Sequence, residues 1–102
     1  MFHSLTDTQE TQVLRIDGEL DALSCSELRP TLDALARNQV PRIMVDLSAL
    51  KHLDSSGVGA LVSLYKSARA NGQSVRFVGV TNQPLRIFKL LHLDRVFALS
   101  AY

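Results

Sequence analysis

An aspartate, two serines and a glycine stand in a row at Asp54-Ser55-Ser56-Gly57. An apolar segment ending in an acid, Ile43-Met44-Val45-Asp46-Leu47, precedes them, and a helical pattern from Val58 to Ala70 follows. Two hydroxyls and a carboxylate therefore fall at the turn from a strand segment into a helix. The first N–H groups of a helix have no intrahelical acceptor, and the helix dipole favours negative charge there. A phosphate attached to a serine at this turn would meet both, while adding about −1.5 to −2 charges beside the Asp54 carboxylate. Gly57 is expected to leave space for close approach by another protein's backbone or by a phosphate. The same tetrapeptide is also an ordinary helix cap, because Asp, Ser and Gly are favoured at helix starts. Taken locally, the cap is the commoner meaning.

Other chemistry is poorly supported by the residues. His52 is close to Ser56 in sequence, yet no Gly-x-Ser-x-Gly elbow or oxyanion-hole segment accompanies the pair, which argues against a small serine hydrolase. His3, His52 and His92 are scattered, Cys25 is the single cysteine, and no spacing suits a metal. No glycine-rich phosphate loop is present, so neither a nucleotide nor any other cofactor is expected. Cys25 reads as a buried first-turn residue, and Arg86, Lys89 and Arg95 as a solvated helix face.

The chain has 102 residues, 46% of them hydrophobic and 21% charged, with a formal net charge of +1. That suffices for one small domain over residues 1–102 with a single core. The charge balance gives no reason to expect direct nucleic-acid binding. No apolar run approaches the roughly 20 residues of a membrane span, and Met1-Phe2-His3-Ser4-Leu5 does not resemble a signal peptide. A reduced, cytoplasmic setting without membrane insertion is expected.

The elements that must position the turn follow from periodicity. Phe2 to Leu5 and Val13 to Asp17 are strand candidates joined by a polar hairpin loop from Thr6 to Thr11, and Gly18-Glu19-Leu20-Asp21 leaves the second strand at a bend. A first helix begins near Ser24 to Ser26, with capping-box spacing between Ser24 and Glu27. Leu28, Leu32, Leu35 and Ala36 form its apolar stripe, and Pro30 should remove one hydrogen bond or bend it. Arg42 to Leu47 is a strand with apolar residues on both faces, hence expected to be covered on both. Ser48 to His52 reads as a connecting loop. A second helix runs from about Ser56 to Asn71, burying Val58, Leu61, Val62, Tyr65 and Ala68 and exposing Lys66, Arg69 and Gln73. Gly72 stops it. Val75 to Val80 forms a strand. Thr81 or Asn82 caps a third helix that turns Leu85, Phe88 and Leu91 to the core, and Val96 to Leu99 closes the chain as a short strand. The order β, β, α, β, α, β, α, β implies an α/β fold: a mixed central sheet of four to five strands, parallel at its centre, with an N-terminal antiparallel hairpin and about three packed helices.

Four segments in order, Gly18-Glu19-Leu20-Asp21, Glu27-Leu28-Arg29, Val45-Asp46-Leu47-Ser48-Ala49-Leu50 and Leu53-Asp54-Ser55-Ser56-Gly57, closely resemble the STAS domain, the family of sulfate transporters and anti-sigma factor antagonists. Leu93-Asp94-Arg95-Val96-Phe97 is similar to the family's usual ending, and the resemblance covers about Val13 to Phe97. It implies an antagonist of the stand-alone type. Such a protein binds a GHKL-type serine kinase that is also an anti-sigma factor or similar sequestering protein, is phosphorylated on the serine before the glycine, here Ser56, and is reset by a PP2C-type phosphatase. Ser55 is the less favoured acceptor. Asp21, Asp54, Ser55 and Gly57 would shape the docking surface, and the protein would be substrate and switch, not enzyme. The alternative within the family is an adaptor subunit of a membrane transporter. Relatives often carry a further helix after the last strand, which is expected to be missing here or replaced by a partner, and Pro30 departs from the regular first helix of many relatives.

Overall fold

The computed structural model describes residues 2–7, 10–37 and 40–97, the first six as backbone only. β1 (Phe2–Asp7) and β2 (Thr11–Leu20) form an antiparallel hairpin, and both strands extend into the polar stretch expected as loop. α1 (Ala22–Arg37) follows, then β3 (Arg42–Asp46), β4 (Leu50–Leu53), α2 (Ser55–Ala70), β5 (Ser74–Val78), α3 (Asn82–Leu90) and the short α4 (Leu93–Val96). The sheet has five strands in the path β1-β2-β3-β5, with β4 also paired to β2. All pairings except the hairpin are parallel.

β2 is long enough to serve two parallel partners in succession. Thr11 to Arg15 pair with β3, and Gly18 to Leu20 pair with β4, with a register shift between Gly18 and Glu19. Gly18 has φ +84°, a conformation open to glycine, so the expected bend is a bulge inside the strand and not its end. The segment from Ser48 to His52, expected as a loop, contributes Leu50, Lys51 and His52 to β4.

One sheet face carries the core. Leu14, Val45 and Phe77 lie across from one another in register and are fully buried, as is Ile16. On the opposite face Arg15 and Arg76 are exposed and Val13 and Met44 are only half-buried, while Asp46 and Val78 are buried, so β3 is covered on its second face at one end only and not along its length as expected. The valines and isoleucine suit a pleated surface from either side; the arginines mark the open one. α1 and α2 pack on each other and supply Leu28, Leu32, Leu35, Leu61, Leu64 and Ala68 to the core. Pro30 lies inside α1 without breaking it, on an exposed position. In α2 the buried stripe includes Ala60 and Leu64, while Val58, Val62 and Tyr65 are only partly buried.

Other expectations are corrected. Gln73 is not a solvent residue: it is 4% exposed, and its Nε2 donates to the carbonyls of Leu35 (3.1 Å) and Val40 (3.0 Å), tying the end of α1 to the entry of β3. Leu91 is half-exposed instead of core-facing. Val96 ends a helix, so no strand begins there; Ala98 and Leu99 lie outside the described residues. Phe97 anchors this end, stacking on Phe77 at 4.3 Å between centroids and meeting Phe88 edge-on at 5.5 Å.

The join between β2, β4 and α2 is the tightest contact that a glycine permits. Leu20 and Leu53 are paired in register, and the Asp54 N–H donates to the Leu20 carbonyl at 3.3 Å. A Cβ on Gly57 would lie 2.5 Å from that carbonyl oxygen and 2.5 Å from Leu53 Cδ1. A Cβ on Gly59, two residues on in the same helix, meets nothing within 4 Å. Alanine is favoured over glycine in helices by about 1 kcal/mol, whereas forced overpacking costs about 1–3 kcal/mol. Gly59→Ala is therefore expected to raise the urea midpoint and Gly57→Ala to lower it; equal stabilisation by both would refute the packing role of Gly57.

Candidate functional site

The two helix starts lie side by side because the two strands that feed them end in register. Leu20 closes β2 and Leu53 closes β4, so the next residues, Asp21 and Asp54, occupy equivalent positions at one end of the sheet. Parallel strands run about 4.8 Å apart. Each aspartate starts a helix. The motif around Gly18 and the motif around Gly57 are thus two halves of one surface.

Asp54 has extended backbone dihedrals (φ −110°, ψ −174°), and its Oδ1 accepts the Gly57 N–H at 3.0 Å. This is an N-cap to the third helical residue. Ser55 and Ser56 are the first two helical residues, and both are exposed. Their N–H groups belong to the set that a helix leaves without intrahelical acceptors. Gly57 is buried, so the room made by its missing side chain is taken by this chain's own Leu20 and Leu53, not left open to an outside approach.

Asp21 caps α1 in a reciprocal box. Ser24 N–H donates to Asp21 Oδ1 (3.0 Å), and Asp21 N–H donates to Ser24 Oγ (2.9 Å). The Ser24 hydroxyl also lies 2.9 Å from Asp21 Oδ1 and 3.1 Å from the Glu19 carbonyl, so its one proton is shared between them. The box therefore opens at Asp21 and closes at Ser24, three residues before the Ser24 to Glu27 pair that spacing suggested. The backbone and side-chain hydrogen bonds from Ser24 hold the Asp21 carboxyl below the ordinary 3.8. Burial pushes the Cys25 thiol up, with Asp54 and then Asp21 adding to the effect and Arg29 opposing it. Both caps are thus felt by one side chain.

Ser56 lines an open groove between α1 and α2 with Cys25, Ser26, Arg29, Gly59 and Ala60. Asp21 lines a separate depression with Glu19, Leu23, Ser24 and Glu27, in which Leu23 is 73% exposed. His52 is exposed on β4 and is not hydrogen-bonded to Ser56. Among the described residues no group of three or more His, Cys, Asp or Glu could hold a metal ion, and no helix is long and apolar enough to cross a membrane.

Sequence reasoning missed a positioning residue. The Leu53 N–H donates to Gln83 Oε1, and Gln83 Nε2 donates to the Leu53 carbonyl, both at 2.9 Å. The amide of Gln83, in the first turn of α3, thus supplies the paired bonds a neighbouring strand would give, and it fixes β4 one residue before Asp54. A glutamine one residue before Pro84 carries no local signal of this, since its partner is 30 residues away.

A carboxyl held low in the folded state stabilises above its unfolded value, and that contribution disappears as pH falls through the folded one. Asp21→Asn should therefore be less stable than the parent at neutral pH, with the gap in Tm narrowing below about pH 4. A gap independent of pH would show that the Asp21 charge contributes nothing through Ser24.

With this geometry in hand, comparison with known proteins is specific. The family model described as the Mlab, STAS domain matches residues 3–100. An anti-sigma-B factor antagonist of Staphylococcus aureus (strain NCTC 8325 / PS 47) is 28% identical over 80 residues, which is 78% of this chain and 74% of that protein. The anti-sigma factor antagonist SpoIIAA in its unphosphorylated form has a TM-score of 0.85 at 23% identity, covering 99% of this chain and 88% of its own. The Bacillus cell fate determinant SpoIIAA in the phosphorylated form has a TM-score of 0.80 at 22% identity, covering 99% and 91%. These structures share the fold. Because the family model spans nearly all of the sequence and both motif halves meet at one end of the sheet, the chain belongs to the STAS domain family.

Proposed function

We propose that this protein is a partner-switching regulator of the anti-sigma factor antagonist type, acting in the cytoplasm with Ser56 as its phosphorylation site. Unmodified, it binds a GHKL-type serine kinase that doubles as the anti-sigma factor, and so frees the kinase's other client. The kinase then transfers the γ-phosphoryl group of ATP to Ser56. The Ser56 Oγ–P bond forms, the bond from the γ-phosphorus to the β–γ bridging oxygen breaks, the hydroxyl proton leaves, and ADP departs. A PP2C-type phosphatase hydrolyses the ester and resets the switch. The protein itself catalyses neither step.

One observation carries this reading: an exposed serine sits at the second position of a helix whose cap is already filled by Asp54. An anion on Ser56 gains from the helix dipole by about 0.3–1 kcal/mol, so the fold tolerates it. A partner that packs against the same turn meets a new charge that must be desolvated, beside Asp54. The relatives that are anti-sigma-B factor antagonists support an anti-sigma factor as the partner.

The reading predicts a split between stability and binding. Ser56→Asp should keep or slightly raise Tm yet weaken kinase binding by roughly 5- to 150-fold, the usual span of such couplings. Ser56→Ala should bind constitutively. Intact mass after incubation with the kinase and ATP should rise by one phosphate in the parent and in Ser55→Ala, and not in Ser56→Ala. Equal binding of the Ala and Asp variants, together with no mass gain, would sink the switch and favour a docking role in a membrane transporter.

A further inference from the structure

Building on the assignment of Ser56 as the modified residue, we propose that Arg29 is the receiver of its phosphate, drawing the modified serine into the groove between α1 and α2.

The groove is built for such a contact from both walls. On α1, Cys25 and Arg29 are one turn apart on the same face, and on α2, Ser56 is followed one turn later by Gly59 and Ala60. Ser56 and Arg29 line this one space from opposite helices. Gly59 leaves its floor open, since even a Cβ there would meet nothing within 4 Å. Long side chains on a helix lie back toward its N-terminus. A side chain laid back in this way reaches toward the end of the groove where Ser56 stands.

Charge points the same way. Of the ionised groups that act on Cys25 at the base of the groove, Asp54 and Asp21 are anions and Arg29 is the cation. Neither the Arg15–Asp17 nor the Arg42–Glu10 ion pair involves Arg29, and Asp33 lines an adjoining depression with it. A phosphate on Ser56 is repelled by the two caps and attracted by the guanidinium, whose planar fork matches phosphate oxygens with two parallel hydrogen bonds. Phosphorylation then does more than add charge. It links the first turn of α2 to the second turn of α1 and fills the groove that an incoming partner would meet.

The test makes the phosphoprotein without any kinase, by co-translational incorporation of phosphoserine at position 56. Arg29 is exposed, so Arg29→Gln and Arg29→Lys should fold. Phosphorus NMR titration should give a phosphate pKa about 0.5 to 1 unit lower in the parent than in Arg29→Gln, with Arg29→Lys between them. The Tm gain on phosphorylation should be larger in the parent than in Arg29→Gln. Superimposable titrations and equal Tm gains would overturn the assignment. Because no kinase is involved, this outcome is separate from the question of whether the partner kinase modifies Ser56.

Discussion

The Leu20 carbonyl is the point on which the site depends. It ends β2, accepts the N–H of Asp54 and lies where a Cβ on Gly57 would come within 2.5 Å of its oxygen. The register of Leu20 with Leu53 therefore sets more than a strand pair: it fixes how closely the first turn of α2 can approach the sheet. A side chain at residue 57 would lift that turn off the sheet edge. It would also move the residues before it, which are the serines. Packing inside the molecule and the placement of hydroxyls outside it are consequences of one close contact.

The caps divide the labour of the helix N-terminus. The Asp54 carboxylate takes the third N–H of α2, and the serines before it keep the first two. At α1 the same task falls to Asp21, but Ser24 returns the hydrogen bond and closes the box. One start is sealed reciprocally; the other is sealed on the inside only. Both begin with an aspartate after a leucine. The difference arises from the residue three positions on, a serine that can donate and accept in one case and a glycine with no side chain in the other.

This also marks how far the sequence could be read. The helices were legible from their apolar spacing, and the two motif halves from residue type and order, as Asp21 and Asp54 show. What escaped depended on partners distant in the chain. β4 is four residues long with its middle two exposed, so it lacks the alternation that identifies a strand and depends on β2 for its pairing. Gln73 looked solvated because glutamine usually is, yet the carbonyls at Leu35 and Val40 give its amide a buried place. The phase of α2 is only partly legible because apolar residues occur around most of its circumference. The short apolar run at Val96 suits helix and strand equally, and the stacking of Phe97 on Phe77 settles it in favour of a terminal helix. That Gly57 makes room is legible locally, but whether a glycine admits an outside partner or its own core is decided by the register of strands that no local pattern records.

A turn built in this way can carry chemistry without risking the fold. Its inward half, Asp54 and Gly57, is engaged with backbone groups of this chain and has little freedom to vary. Its outward half, Ser55 and Ser56, contributes no side-chain bond that the fold needs. The outer two of these four residues hold the turn and the middle two face solvent at a helix terminus, where an anion is stabilised by the same unpaired N–H groups that make such ends costly to bury. A loop could expose a serine equally well, but would not fix its direction, and a serine in mid-helix would lack the favourable field. The first turn of a helix pressed onto a sheet edge provides both, beside an open groove in which a Cβ at Gly59 would meet nothing within 4 Å.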